Sequence, residues 1–407
     1  MSDPLYREPT LFSYPRQLAF GLLSIATPLW IRPISGQIVL SSFHGDGFRG
    51  NTAVLFEALA NHESLRPIWL SRNQVVVDDI TRRFGADMAY LSHSTAGLRA
   101  LASAQFILFT HGTSDFPFLR LPARSKTLFA YHGLPTKRGE YMRREGEPPP
   151  KLWEKMLYRH RYRNIDWFLS SSPLVSTIFS QRFGLSPSCF IETGYPSTDT
   201  RFRSTDRAEI LKRIVPDTIA AAHPHVFLYA PTFRTSSLTR WFPFDDFRTD
   251  VLNQYLETRN AVILIRRHPN DASSFHHLLA ECPRLMDAGQ ERIEDVNDLL
   301  SISDGTISDY SSIALEGLLR DIPPVYIPYD VDDYERGFPI PYSQFSPGPR
   351  VHSMADFCQA LDGILNPETS VPLPEWEAER DHVKRLFFTH SDGKATQRVI
   401  RFLETQM

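Results

Sequence analysis

A chain of 407 residues is too long for one compact core, and 42% hydrophobic with 22% charged residues at a net charge of −3 places it among soluble globular proteins of two ordinary domains. That balance excludes an acid-rich disordered chain and gives no global attraction to nucleic acid, so only local charge is informative. Cys189, Cys282 and Cys358 are isolated and form no C-x-x-C pair, which argues against a zinc site or disulfide framework and fits a reducing, cytoplasmic setting.

The first segment, residues 1–35, contains the apolar stretch LAFGLLSIATPLWI (18–31) between Arg16 and Arg32. It is short for a bilayer span. The acidic start MSDPLYREPTLF and the prolines at 28 and 33 do not fit a cleaved signal. Two readings stay open: a helix in the membrane interface, aided by Tyr14 and Trp30, or a helix buried against the first domain.

Short β-branched or aromatic runs then alternate with helical ones, the pattern of parallel sheets wrapped by helices. The first set holds GQIVLSSF (36–43), the helical NTAVLFEALANH, LRPIWLS (65–71), AQFILFTHG (104–112), KTLFAYHG (126–133) and IDWFLSSS (165–172). A helix and linker over 201–224 leads to HVFLYAPTF (225–233), NAVILIRRHP (260–269), DGTISDYSS (304–312) and PPVYIPYD (323–330). The expectation is an α/β chain with Rossmann-like domains over 36–211 and 212–407, facing one cleft, the last helix being a candidate to pack back on the first domain. Ligands of such sheets sit beyond the carboxyl ends of strands, so the residues after each run are the candidates.

After TLFAY stand His132, Gly133, Lys137 and Arg138: an imidazole able to take a proton at neutral pH, a glycine suited to close backbone approach, and cations suited to phosphate. From Lys137 to Arg163 nine Lys/Arg face four Glu, a local +5 that suits an anionic substrate or headgroup as well as an ordinary solvated helix surface. The glycine-rich FHGDGFRGN (43–51) and the turn GYPSTD (194–199) can border an acceptor. In the second half, Thr232 and Arg234 follow one strand and Arg266, Arg267, His268 and Pro269 the next; forked guanidinium donors suit a diphosphate. Asp309, Tyr310, Ser311 and Ser312 open the helical stretch IALEGLLRD, where hydroxyls and free N–H groups favour an anion, although N-capping alone also explains the serines. Glu316 lies one turn on, within reach of ribose hydroxyls. His276-His277 and His223-Pro224-His225 lack convergent partners, so no protein-bound metal and no cofactor is expected. P-loop and G-x-S-x-G motifs are absent from the sequence.

Taken in order, YHGLPTKRG, GYPSTD, YAPTFR, IRRHP, SDYSSI, PPVYIPYDVDDYERGF and DGKATQRVIRFL resemble the CDP-glycerol glycerophosphotransferases of teichoic-acid and capsule synthesis, from about residue 36 to the end. The resemblance implies a GT-B fold of two facing Rossmann-like domains, the donor CDP-glycerol held mainly by the second, a lipid-linked or polymeric acceptor, and peripheral attachment to the inner face of the cell membrane. It favours the interfacial reading of residues 18–31. His132 and His268 match the family's two histidines needed for transfer, and Asp309 to Ser312 its donor-binding DYSS. The family usually has Trp at Tyr131 and Thr at Leu134.

The implied reaction is attack of an acceptor hydroxyl on the glycerol-bearing phosphorus with CMP leaving, governed by alignment and neutralisation of spreading charge. His132 is the candidate base, and Thr232, Arg234, Arg266 and His268 the candidates to hold the diphosphate. The rival readings are a glycosyltransferase using a CMP-activated acidic sugar, and a non-catalytic binder of anionic polymer or lipid.

Overall fold

Ala261–Ile265 reads AVILI and is buried along its whole length, as expected of a strand covered by helices on both faces. The same holds for Gln37–Leu40 and Phe106–Phe109. The computed structural model describes residues 13–139, 141–143, 147–162, 164–202, 205–234, 237–268, 271–366 and 373–407. It arranges these runs in a seven-stranded and a five-stranded sheet in which every pairing is parallel. The expected α/β class of two Rossmann-like sheets is the class observed.

The first sheet comprises β1 (Gln37–Leu40), β2 (Arg66–Ser71), β3 (Ala89–Leu91), β4 (Phe106–Phe109), β5 (Lys126–Phe129), β6 (Trp167–Leu169) and β7 (Phe190–Ile191), in the order β3-β2-β1-β4-β5-β6-β7. The second comprises β8 (His225–Tyr229), β9 (Ala261–Ile265), β10 (Leu285–Asp287), β11 (Gly305–Ser308) and β12 (Pro324–Tyr326), in the order β10-β9-β8-β11-β12. Each sheet therefore has one switch point, between β1 and β4 and between β8 and β11, where the connections on either side diverge and open a crevice. The residues following those four strands are the ones the topology gathers.

The chain divides into a unit of Met1–Gly133, Glu147–Asp199 and Asp392–Met407 and a unit of Leu134–Gly146 and Thr200–Ser391. The change of unit thus falls at Asp199, earlier than the 212 expected from composition, for a local reason. The Asp199 carboxylate accepts the N–H groups of Ala395 (3.0 Å) and Thr396 (2.7 Å), anchoring the terminal helix Ala395–Thr405 in the first unit, where Val399 and Leu403 are buried. Two residues later Arg201 is buried in the second unit, donating to Asn297 Oδ1 (2.7 Å) and to the Glu316 carbonyl (3.0 Å).

Most of the apolar N-terminal stretch lies in the helix Ser13–Ala26. One side packs closely: Ser24 Oγ accepts the Arg120 N–H at 2.9 Å, and a Cβ on Gly21 would stand 2.6 Å from the Phe118 carbonyl oxygen. The other side is not buried, with Leu22 71% and Trp30 78% exposed beside Leu18, Leu23, Ile25 and Leu29. No helix among the described residues is long and apolar enough to cross a membrane. Residues 1–12, including Asp3 and Glu8, lie outside the described residues, as do Glu140, Arg144, Glu145 and Arg163 of the basic run and Pro269.

Candidate active site

In the first unit, the loops leaving β1, β4 and β5 bring three imidazoles together. The His111 and His132 rings lie parallel, 4.2 Å apart at an interplanar angle of 2°, and His44 stands 4.7 Å from His111. His132 Nδ1 lies 3.3 Å from the Thr110 carbonyl. A carbonyl only accepts, so Nδ1 carries the proton and Nε2 is left as the basic nitrogen. The residue is exposed to solvent, yet protein crowds around its ring. That crowding, partly opposed by the Thr110 carbonyl and reinforced by Arg182 and His44, pushes the His132 pKa down to about 4, so the ring is neutral at pH 7.

Two residues that sequence reasoning did not single out hold this strand end. Asn51, in the helix Gly50–Leu59, donates to the carbonyls of Ala130 (2.5 Å) and Tyr131 (2.7 Å), while its oxygen accepts from Ser197 N (2.9 Å) and Oγ (2.8 Å) of the GYPSTD turn. The clamp bears on a strained residue: Tyr131 has φ of 24°, whereas Gly133, the expected site of backbone freedom, is not in the left-handed region. Asp115, fully buried, accepts the N–H groups of Thr110 (2.7 Å), His111 (2.9 Å) and His44 (2.7 Å). Burial raises its pKa, and those three N–H groups oppose the rise. The FHGDGFRGN and GYPSTD segments thus both reach the His132 end of the sheet.

In the second unit the geometry reassigns several expected ligands. Arg234 is 3% exposed and donates four hydrogen bonds: Nε and Nη2 to the two Asp330 oxygens (2.9 and 2.8 Å), and Nη1 to Asp309 Oδ2 (2.8 Å) and the Thr232 carbonyl (2.6 Å). Tyr310, Tyr329 and Tyr334 surround it at 5.1–5.2 Å. The expectation of an open fork for a diphosphate is corrected: this guanidinium neutralises two carboxylates inside the protein. Arg266 likewise donates to the carbonyls of Ala288 (2.9 Å), Ile293 (2.5 Å) and Glu294 (2.9 Å), closing the loop after β10. Arg138 Nε donates to the Phe338 carbonyl at 2.6 Å and Nη1 to that of Arg143 at 3.2 Å, again a loop clasp.

The DYSS segment is split between interior and surface. Asp309 Oδ1 accepts the N–H groups of Thr232 (2.8 Å) and Tyr310 (2.5 Å), and Tyr310, buried, donates its hydroxyl to Asp330 Oδ1 at 2.8 Å. Ser311 caps the helix through the Ile313 N–H and Ser312 opens it; both side chains remain partly exposed. That helix, Ser312–Gly317, has six residues, a short run of aligned peptides. Glu316 pairs through one oxygen with Arg201, whose side chain is 2% exposed. Thr232 is buried, and its hydroxyl has no partner among the described residues.

The cations that do gather in this unit lie around His268. Its ring stacks on Phe233 at 5.3 Å, and its pKa lies below the ordinary value, first because protein crowds it, then because of Lys137, against the opposing Asp271, with Arg336 adding to the drop. Arg336 is exposed, and sequence reasoning gave it no role although it stands in the quoted YERGF. Among the described residues no group of three His, Cys, Asp or Glu is placed to hold a metal ion.

A family described as CDP-glycerol:poly(glycerophosphate) glycerophosphotransferase matches residues 25–405. The chain belongs to this family. It is similar to a teichoic acid glycerol-phosphate transferase of Staphylococcus aureus, 24% identical over 90% of this chain and 92% of the relative, and to a teichoic acid ribitol-phosphate primase of Bacillus spizizenii, 25% identical over 95% and 94%. A solved structure of the wall teichoic acid polymerase TagF shares the fold, with a TM-score of 0.73 at 22% identity over 97% of this chain and 94% of that one. The GT-B class and the glycerophosphotransferase family implied by the ordered motifs are therefore the class and family found, and the CMP-sugar glycosyltransferase and idle-binder readings give way to them.

Proposed function

We propose that the chain moves glycerol phosphate from CDP-glycerol to a hydroxyl of a lipid-linked or polymeric acceptor, with His132 as general base. The supporting observation is its neutral imidazole at the carboxyl end of β5, whose Nδ1–H is held by Thr110 and whose Nε2 has no partner among the described residues. In the step proposed, the acceptor oxygen forms a bond to the glycerol-bearing phosphorus as its proton passes to Nε2. The bond from that phosphorus to the bridging oxygen breaks, and CMP leaves with the electron pair. His268, Lys137 and Arg336 carry the charge stabilisation for the diphosphate, joined by the Ser311 and Ser312 hydroxyls. Arg234, Asp309 and Tyr310 act one layer behind, fixing the loop that presents those serines, and Glu316 retains one carboxylate oxygen for the ribose.

The exposed apolar side of Ser13–Ala26, continued by Leu29 and Trp30, supports peripheral seating on an anionic membrane, where a lipid-linked acceptor would be met. A ribitol phosphate unit is the second reading, favoured by the equally complete match to the ribitol-phosphate primase. Incubating the purified chain with CDP-glycerol or CDP-ribitol and a short glycerol-phosphate-primed lipid, and following CMP release and product mass, tests the assignment. Undiminished transfer by His132→Gln would remove His132 as base. Unchanged vesicle binding by Leu22→Asp with Trp30→Asp would remove the membrane seat.

A further inference from the structure

The transfer chemistry needs one histidine at the carboxyl end of β5, yet the fold sets a second parallel against it. We propose that His111 is a positioning residue for His132: its ring covers one face of the His132 imidazole and holds it with Nδ1–H on the Thr110 carbonyl and Nε2 outward. This rests on the reading of His132 as the base.

Three independent contacts fix His111 in that role. Its backbone N–H is held by buried Asp115 at 2.9 Å, its Nδ1 lies 2.8 Å from Thr110 Oγ1, and Phe43 packs at 4.7 Å. The residue that fixes the His111 ring, Thr110, also supplies the carbonyl that fixes His132, so the two imidazoles are registered to one peptide. A ring lying flat at 4.2 Å excludes water from one face of its neighbour, and removing water disfavours the imidazolium. The Tyr131 ring also packs on His132, tilted by 31° with centroids 4.2 Å apart. The charged or titratable groups that face the stack are His44 from the turn after β1, Asp115 from the turn after β4, 3.9 Å from His111 Nδ1, and Arg182 from the helix Pro173–Phe183, whose guanidinium lies 5.8 Å from the Tyr131 ring. Of these only the carboxylate favours a charged imidazole, and it lies behind His111 rather than against His132.

Titration of histidine-15N-labelled protein by NMR reads His132 directly, its signal identified by its loss in His132→Gln. The wild-type midpoint is expected near 4. His111→Ala opens the covered face and should move it up by about one unit or more toward the ordinary 6.5 or so, whereas His111→Phe keeps a ring on that face and should hold the wild-type midpoint. In CDP-glycerol turnover, His111→Ala should lower kcat by about tenfold with KM little changed, and its acid limb should follow the midpoint. If His111→Ala fails to fold by circular dichroism, His111→Gln, which keeps a nitrogen-bearing group near Thr110 without a ring, carries the same test. An unmoved midpoint in the ring-less variant overturns the positioning role. Full turnover by His132→Gln would overturn the base assignment instead, and the titration separates the two failures.

Discussion

Arg234→Ala distinguishes a ligand-binding arginine from one that holds the protein together. The side chain is 2% exposed and pairs with Asp309, itself 2% exposed, and with Asp330 at 26%. Its removal leaves one carboxylate buried without its cation and a second partly so. Breaking a buried pair from one side costs roughly 3–5 kcal/mol, because the surviving charge stays desolvated. For a domain of some 200 residues about 2–4 °C of melting temperature accompany each kcal/mol, so the expected drop is roughly 6–20 °C. Scanning calorimetry measures it. Removing the charges together, in Arg234→Met with Asp309→Asn and Asp330→Asn, should recover a large part of the loss, since the cost lies in the orphaned carboxylates. CDP-glycerol affinity, measured calorimetrically well below the melting temperature, should fall less for Arg234→Ala than for Lys137→Ala. A variant with native melting temperature and abolished donor binding would refute the reasoning and restore Arg234 as a diphosphate fork.

His132, with a pKa near 4 in the folded chain against about 6.5 unfolded, binds its proton more readily when unfolded; stability linked to it is complete above about pH 6.5 and is lost as pH falls toward 4, and a pH series of melting temperatures should show a smaller decline in His132→Gln. Ser311→Ala should lose about 1 kcal/mol or less of stability, as for a weak cap at 3.5 Å, so a tenfold loss of CDP-glycerol affinity in that variant would mark the hydroxyl as a ligand contact. Glu316→Ala leaves the buried Arg201 guanidinium without its carboxylate and should destabilise by roughly 3 kcal/mol or more in denaturant titration, while Glu316→Gln, which keeps an acceptor, should cost clearly less.

The strands were legible where composition alone decides them. Runs such as AVILI and FILF have no wet face to hide, and a parallel sheet covered on both sides is the arrangement that buries them. The strands passed over as separate elements, β3 and β10, read AYL and LMD, without the β-branched or aromatic run that announced the equally short β6 and β12. The unit boundary was misjudged for a related reason. Residues 201–224 look like a linker by composition, but Arg201 is tied into the second unit by residues 96 and 115 positions away, and no local pattern carries that information.

The site divides in the same manner. Histidine, serine and cation positions after strands were readable, because strand ends at a switch point are where ligands meet a sheet. What each side chain does there was not, because it depends on the unsatisfied backbone the switch point creates. Loops that part company on opposite sides of a sheet leave N–H groups without ladder partners, and a buried donor left unpaired is costly. In the first unit Asp115 accepts three such groups, and in the second Asp309 accepts two. Asp309 then draws Arg234 inward, which is why an arginine that looks like a phosphate ligand in the sequence is a counter-ion in the fold. Beside those three peptide groups the Asp115 carboxylate accepts the Thr110 hydroxyl, and the turn it knots carries His111 against His132. Part of the signal for that pair was present in the sequence, since THG and YHG each follow a strand-like run; the stacking itself was not, because with Phe109 in register with Phe129 His111 lies two residues and His132 three residues beyond the pairing.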